Sequence, residues 1–264
     1  MTAIDAAFRR LRETGEKGLV AYLTAGDPDP STAADYFRAA ADAGADLLEV
    51  GVPFSDPTAD GPTIEAASRR ALAAGMNVPK ALELVQRIRK THATPVVLFG
   101  YYNPFLRYGL GNLWRDARAA GVDGFLIVDL PFEEAGEAVR GMRAEGLSWI
   151  PLAAPTSGME RIRAIDRAGS GFLYLISVTG VTGVRETFPP EMMAWSRKVK
   201  SAVELPLAVG FGISTPAMAR SATRYADAAV VGSACVKIVE RHGRASRGPA
   251  DLSRFVRSLK SALR

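Results

Sequence analysis

The sequence predicts an α/β protein, a single-domain (β/α)8 TIM barrel with an extra N-terminal helix, over residues 1–264. Eight short apolar or β-branched runs alternate with longer helical runs, a pattern that favours a parallel sheet with crossover helices. Most of the short runs are continuously apolar, as strands buried on both faces are. Eight such units in 264 residues fit one closed barrel better than the rival architecture, an open doubly wound sheet.

The predicted elements follow this pattern along the chain. A first helix over residues 3–11 is expected to cover the floor of the barrel. Later helical runs carry apolar stripes or stand between an initial proline and a final glycine, and they cover residues 32–43, 62–74, 79–90 and 251–263. The strands are predicted at residues 19–24, 46–50, 95–100, 124–129, 148–153, 171–177, 206–210 and 228–231.

Composition narrows the class of protein. Hydrophobic residues make up 48% and charged residues 23%, and Cys235 is the single cysteine, so no internal disulfide can form. No apolar run has the length of a secretory signal or of a membrane span, and we expect a cytoplasmic protein with no membrane partner. The net charge is +5, but the basic residues are scattered without interleaved aromatics, so no nucleic-acid partner is expected.

In a barrel of this kind, chemistry belongs at the carboxyl ends of the strands. Glu49 lies near the end of the second strand, within a run that is otherwise apolar. Burial removes water from a carboxylate and raises its pKa toward values useful for proton transfer. The alternative is a glutamate satisfied by structural hydrogen bonds.

The loop after the second strand holds two further carboxylates, Asp56 and Asp60. Three prolines restrict this loop, which suits a shaped cover over a site better than a plain connection. Either aspartate could instead cap the helix that follows, because aspartate is a favoured N-cap residue.

Glycine-rich turns follow the last three strands. Residues 177–183 read SVTGVTG after the sixth strand, and residues 209–214 read VGFGIS after the seventh. After the eighth strand, Gly232 and Ser233 open a helix. Glycines let the backbone approach a ligand, and a helix N-terminus offers free N–H groups to an anion. Together these turns predict a phosphate site, the usual arrangement at this end of such barrels.

Several absences limit the chemistry. No lysine falls at the carboxyl end of a strand, so a Schiff-base mechanism has no nucleophile. The two histidines, His92 and His242, and Cys235 are expected on helices or at their ends, with no metal-ligand spacing. No dinucleotide fingerprint follows the first strand. We therefore expect carboxylates, a phosphate site and aromatic walls, with no metal and no cofactor. The aromatic residues expected inside the barrel, as core or as a flat slot, are Tyr22, Phe99, Phe125, Phe172 and Tyr174.

These motifs closely resemble those of the tryptophan synthase α subunit family. The densest stretch is LLEVGVPFSDPTADGPTIE at residues 47–65. It is accompanied, in the family's order and spacing, by AGDP, NP, GVTG, GFGIS and VGSA at residues 25–28, 103–104, 180–183, 210–214 and 231–234. The resemblance covers nearly the whole chain, and six motifs in register make it specific.

The resemblance implies cleavage of indole-3-glycerol phosphate into indole and glyceraldehyde 3-phosphate. Glu49 matches the family's proton-shuttling residue, and Asp60 matches the carboxylate that pairs with the indole N–H. The implied phosphate-binding positions are Gly183, Phe211, Gly212, Gly232 and Ser233. The predicted substrate contacts are Tyr22, Phe99, Tyr101, Asp129, Phe172, Tyr174 and Thr182.

The resemblance also implies a partner, a tryptophan synthase β subunit in an α2β2 complex. Two alternatives stay open: a stand-alone lyase that releases free indole, and a non-catalytic barrel that activates a partner. The chain departs from the family's pattern at Glu65, where glutamine is usual, and at Phe172, where tyrosine is common.

Overall fold

The computed structural model describes residues 2–176, 190–210 and 212–264. Within these ranges nine strands form one parallel sheet in the order β5-β4-β3-β2-β1-β9-β8-β7-β6. The strands are β1 Gly18–Thr24, β2 Leu47–Gly51, β3 Val96–Gly100, β4 Gly124–Ile127, β5 Ser148–Trp149, β6 Leu152–Ala153, β7 Leu173–Ile176, β8 Leu207–Gly210 and β9 Ala228–Val231.

The helices surround this sheet and connect its strands, which confirms the predicted β/α alternation. They are α1 Ala3–Thr14, α2 Ala33–Asp42, α3 Pro62–Ala73, α4 Val78–Arg89, α5 Tyr102–Tyr108, α6 Leu110–Ala120, α7 Gly136–Ala144, α8 Met159–Ala168, α9 Pro190–Lys200, α10 Pro216–Ala222, α11 Ser233–His242 and α12 Arg247–Ser261. In the described part of the chain, no helix is both long and apolar enough to cross a membrane.

The predicted fifth strand at residues 148–153 is not continuous. It is divided into β5 and β6 by Ile150 and Pro151, and proline has no N–H to donate to a ladder. The two halves nevertheless close the barrel. The Ile150 N–H donates to the Phe125 carbonyl on one side at 2.8 Å, and the Tyr174 N–H donates to the Pro151 carbonyl on the other at 2.9 Å.

The barrel has two apolar layers. Inside the cylinder, strand residues such as Val20, Leu47, Val97 and Leu126 pack together. Outside it, the opposite faces of the same strands pack against the helices. Phe125 belongs to this outer layer, where it meets Phe105 and Trp114 at ring-centroid distances of 5.5 and 4.8 Å. Its predicted place inside the barrel is wrong, because side chains alternate along a strand and Leu126 takes the inward position.

The extra N-terminal helix covers the floor, as predicted. Thr2 and Asp5 form a capping box at its start, and it ends at Gly15 in the left-handed conformation. Ile4, Phe8 and Leu11 share one face of α1 and join the interior layer. Burying each of these side chains stabilises the fold by about 1.5–3 kcal/mol. The last helix begins earlier than predicted, at Arg247, because proline is tolerated in the first turn.

Three aspartates repeat one arrangement at the floor. Each stands immediately before a strand and accepts an N–H from one of the first two residues of the neighbouring strand. The pairs are Asp46 with Leu19, Asp123 with Val96 and Asp227 with Leu207, at 2.9, 2.8 and 2.7 Å. Each carboxylate also meets a cation, and for Asp46 this is the buried Lys260 at 2.9 Å. The floor carboxylates are therefore structural.

Candidate active site

Glu49 lies in β2 with its side chain inside the barrel. In the parallel register it stands beside Tyr22 on one side and Val97 on the other. Its side chain is fully buried, and neither carboxyl oxygen has a hydrogen-bond partner among the described residues. Burial raises the pKa of Glu49 to about 8. The carboxyl group therefore holds its proton at neutral pH, as a general acid must, and the alternative of a glutamate satisfied by structural hydrogen bonds finds no support in these contacts.

Asp60 stands at the mouth of the barrel, directly before α3. Burial raises its pKa to about 6, the charge of Glu65 adds to the rise, and the Tyr101 hydroxyl opposes it. The same hydroxyl accepts the Ala59 N–H at 3.1 Å, which ties the loop to the end of β3. The alternative role of Asp60 as a helix cap is wrong, because Gly61 occupies the N-cap of α3 and no side chain caps it. Asp60 is thus an ionised carboxylate at pH 7.

Two tyrosines stand near these carboxylates. Tyr22 meets Phe99 edge to face at 5.2 Å. Its hydroxyl lies over Gly51, where a Cβ would be only 2.2 Å away, and the Tyr174 hydroxyl lies over Gly210, where it would be 2.3 Å away. Only glycine leaves room for these rings. Burial raises the pKa of both tyrosines well above its usual value, and the charges of Glu49 and Asp60 add to the rise.

Two predicted substrate contacts lie farther from this centre. Phe172 precedes β7, on the floor side of Tyr174, and it packs on Phe8 of α1 at 5.5 Å. Asp129 follows β4 and is exposed, and its carboxylate accepts the Tyr102 N–H at the start of α5 at 2.7 Å. Asp129 thus anchors a helix, and substrate contact by either residue stays a prediction.

The predicted phosphate side is formed by the ends of β8 and β9, which are neighbours in the sheet. Gly212 has φ +64, and a Cβ there would meet no atom of the described residues within 4 Å. Gly232 is the N-cap of α11 and Ser233 is its first residue, as predicted, and no side chain in the described part of the chain caps the helix. The first N–H groups of α11 are therefore available to an anion. The predicted residues Thr182, Gly183 and Phe211 lie outside the described residues.

The order of the strands brings these groups together. Glu49 on β2 is followed around the barrel by Tyr22 on β1, then by Gly232 after β9 and Gly212 after β8. A Cβ on Gly232 would lie 3.4 Å from the Tyr22 ring, so the helix terminus and the aromatic wall are in contact. The acid on β2, the aromatic wall on β1 and the N-terminus of α11 after β9 therefore lie on consecutive strands of one sheet.

Three apolar residues at the mouth were not predicted. Ile64 of α3 and Val236 of α11 pack around Tyr22 and Phe99, and Phe54 lies 5.3 Å from the Tyr101 ring. All three lie on loops or helices beyond the strand ends. Ile64 could have been found from the sequence, because it is an apolar residue in the first turn of the helix that follows Asp60. Among the described residues, no cluster of His, Cys, Asp and Glu could hold a metal ion.

Comparisons with known proteins agree on one family. A family model described as "Tryptophan synthase alpha chain" matches residues 8–264. A protein of that name from Citrifermentans bemidjiense is 49% identical over 263 residues, covering 100% of this chain and 98% of its own. The crystal structure of the tryptophan synthase alpha chain from Legionella pneumophila has a TM-score of 0.92 at 37% identity, covering 100% of this chain and 97% of that chain. A chain in the structure of the tryptophan synthase a2b2 complex from Pyrococcus furiosus gives 0.87 at 40% identity, covering 93% and 99%.

Proposed function

This chain belongs to the tryptophan synthase α chain family, and on that premise we propose that Glu49 and Asp60 carry out its reaction. The chain is a carbon–carbon lyase of tryptophan biosynthesis, and it cleaves indole-3-glycerol phosphate to indole and glyceraldehyde 3-phosphate. The observation that carries the assignment is the fully buried Glu49 carboxyl, unpartnered among the described residues, with a pKa of about 8. The cytoplasmic location and the single-domain organisation of residues 1–264 belong to the same proposal.

The proton balance of this reaction requires one group that donates a proton and later accepts one. Protonated Glu49 donates to indole C3, which leaves an indoleninium whose positive charge is shared with the ring nitrogen. The Glu49 carboxylate then removes the proton of the adjacent glycerol hydroxyl, and the carbon–carbon bond breaks as the aldehyde forms. The bonding electrons return to the ring and neutralise the nitrogen. Glu49 is again protonated, so the cycle needs no other acid or base.

Asp60 stabilises the charge that develops in this step. Its carboxylate, ionised above about pH 6, accepts the indole N–H and faces the positive ring of the intermediate. The aromatic side chains Tyr22 and Phe99 bound the slot for the ring, while the N-terminus of α11 and the Gly212 turn receive the phosphate. Holding the substrate at both ends orients C3 toward Glu49.

The substrate and partner are indole-3-glycerol phosphate and a tryptophan synthase β subunit. Support for the partner comes from the similar chain in the a2b2 complex of Pyrococcus furiosus. Indole release should therefore rise when a β subunit is added. A chain that is fast alone and unaffected by the β subunit would fit a stand-alone lyase instead.

Glu49→Gln tests the assignment. The substitution keeps the shape and removes the proton transfer, so we expect indole release to fall about 10²–10⁴-fold, with the KM little changed. Glu83→Gln on the exposed face of α4 is the matched control and should keep the parent rate. Turnover within a few fold of the parent in Glu49→Gln would overturn the mechanism.

A further inference from the structure

A cavity of about 820 Å³ opens at the floor, at the end of the barrel opposite Glu49. Its walls come from α1, from α8 and from the segment that leads into β8. Phe8, Leu205 and Pro206 supply apolar surface, and Gly169 and Gly171 complete the lining. Its volume lies in the range of sites that bind small molecules.

Four arginines line this cavity in two pairs. Arg9 and Arg12 lie three residues apart on α1, and Arg163 and Arg167 lie four apart on α8, so each pair shares one face of its helix. Within the described ranges, none of the four has a carboxylate within 4.0 Å, in contrast to Arg10 next to them, which meets Asp46. The pairs belong to separate elements on the wall of one concavity.

The three carboxylates in the lining form no ion pair with these arginines among the described residues. Asp5 accepts the Thr2 N–H at 2.8 Å, and Asp166 accepts the N–H groups of Glu204 and Leu205 at 3.1 and 3.0 Å. Of the lining residues, this leaves the Glu204 carboxylate as the one with no such bond in the described structure. The lining therefore holds four guanidinium groups and three carboxylates, a net formal charge of +1, and in the described residues the guanidinium groups are free to bind the oxygens of an anionic ligand.

We propose that this floor cavity binds a small molecule that carries a diphosphate or longer phosphoanhydride. Guanidinium groups recognise phosphate oxygens through paired hydrogen bonds, so the α1 pair can hold one phosphate and the α8 pair the next. The apolar surface of Phe8 and Leu205 leaves room for the organic part of such a ligand. The substrate of the proposed reaction carries one phosphate and binds at the opposite end, so the floor site differs from it in both place and charge.

Isothermal titration of the full chain with inorganic pyrophosphate, without divalent cations, tests the proposal. We expect one pyrophosphate per floor site, bound at least ~10-fold more tightly than orthophosphate. The double variants Arg9→Gln/Arg12→Gln and Arg163→Gln/Arg167→Gln should each weaken binding ~10-fold or more. The control Arg241→Gln/Arg257→Gln removes two exposed arginines elsewhere and should change it less than ~2-fold.

The rate of indole release in the same variants distinguishes the floor cavity from the active site at the mouth. All four side chains of the double variants are exposed and remote from Glu49, so the variants should keep the parent rate while they lose pyrophosphate. No saturable binding, equal affinity for orthophosphate, or equal loss in the control would overturn the proposal. Retained binding in both floor variants would place the pyrophosphate elsewhere and overturn it as well.

Discussion

Carboxylates occur at both ends of this barrel, and the two ends surround them differently. At the floor, Asp46, Asp123 and Asp227 each accept a strand N–H and meet a cation. At the mouth, Glu49 is fully buried with no partner among the described residues. A buried carboxylate with partners holds strands in register, whereas one without them keeps a proton to give away. Stability and chemistry are thus separated along the barrel axis.

We expect the largest effect on stability from a substitution at the floor of the barrel. Asp46→Ala removes the carboxylate that faces Lys260, and both side chains are almost completely buried. The buried Leu19 N–H would lose its acceptor and Lys260 would keep only the partly exposed Glu16 carboxylate at 3.0 Å, so the free energy of unfolding should fall by about 3–5 kcal/mol in urea titrations. Indole release per folded molecule should not change, because the floor lies outside the site.

Arg10→Gln is the matched control for this variant. Arg10 also meets Asp46, but its side chain is 61% exposed, so its loss should cost about 1 kcal/mol or less. Equal losses from the two variants would mean that burial does not set the value of the Asp46 contacts. A large loss of activity per folded molecule in Asp46→Ala would contradict the separation of stability and chemistry between the two ends.

A substitution at the mouth should change the free energy of unfolding in the opposite direction. Glu49 has a folded pKa of about 8 against an ordinary value of 4.5, so the unfolded chain loses its proton first as the pH rises. Across that window, this residue should lower the free energy of unfolding by roughly 1.4 kcal/mol per pH unit, to a total of a few kcal/mol. Glu49→Gln removes the titration. Its stability relative to the parent should therefore rise between pH 5 and pH 8.5 in urea unfolding, and an unchanged difference would contradict the buried neutral acid.

The pH dependence of the reaction gives a smaller effect. Asp60 must be ionised and has a pKa of about 6, so kcat/KM should fall below that pH, while loss of the Glu49 proton lowers it above about 8. Asp60→Asn should remove the acid limb and reduce kcat/KM at pH 7 by about 10–100-fold. Asp56→Asn in the same loop is the control and should keep both limbs. An acid limb that survives in Asp60→Asn would assign it to another group.

The fold could be predicted from the hydrophobic pattern of the sequence, because the strands of a parallel barrel are apolar on both faces. The strand positions and the helix at the floor were predictable from that pattern and are confirmed. The division of the fifth strand was not predicted, although Pro151 stands in the sequence. A six-residue apolar run reads as one strand until its hydrogen-bond partners on both sides are known.

The site residues could be predicted only where their position in the sequence, at the end of a strand, fixes their location in the barrel. Glu49 lies near the carboxyl end of β2 and the Gly232 turn follows β9, so the barrel rule locates both. Phe54, Ile64 and Val236 reach the mouth from loops and helices, whose packing no periodicity reports. The capping alternative for Asp60 could be decided only by backbone geometry, which gives that position to Gly61.

The interrupted fifth strand makes the cylinder unequal around its circumference. β1 joins β2 through five registered pairs and β9 through four, whereas β4–β5, β6–β7 and β8–β9 have two each. The first and last strands are thus joined by a longer ladder than those on either side of Pro151. Opening of the wall should therefore begin at one of these short ladders, whereas β2, which carries Glu49, is held by five registered pairs to β1 and four to β3.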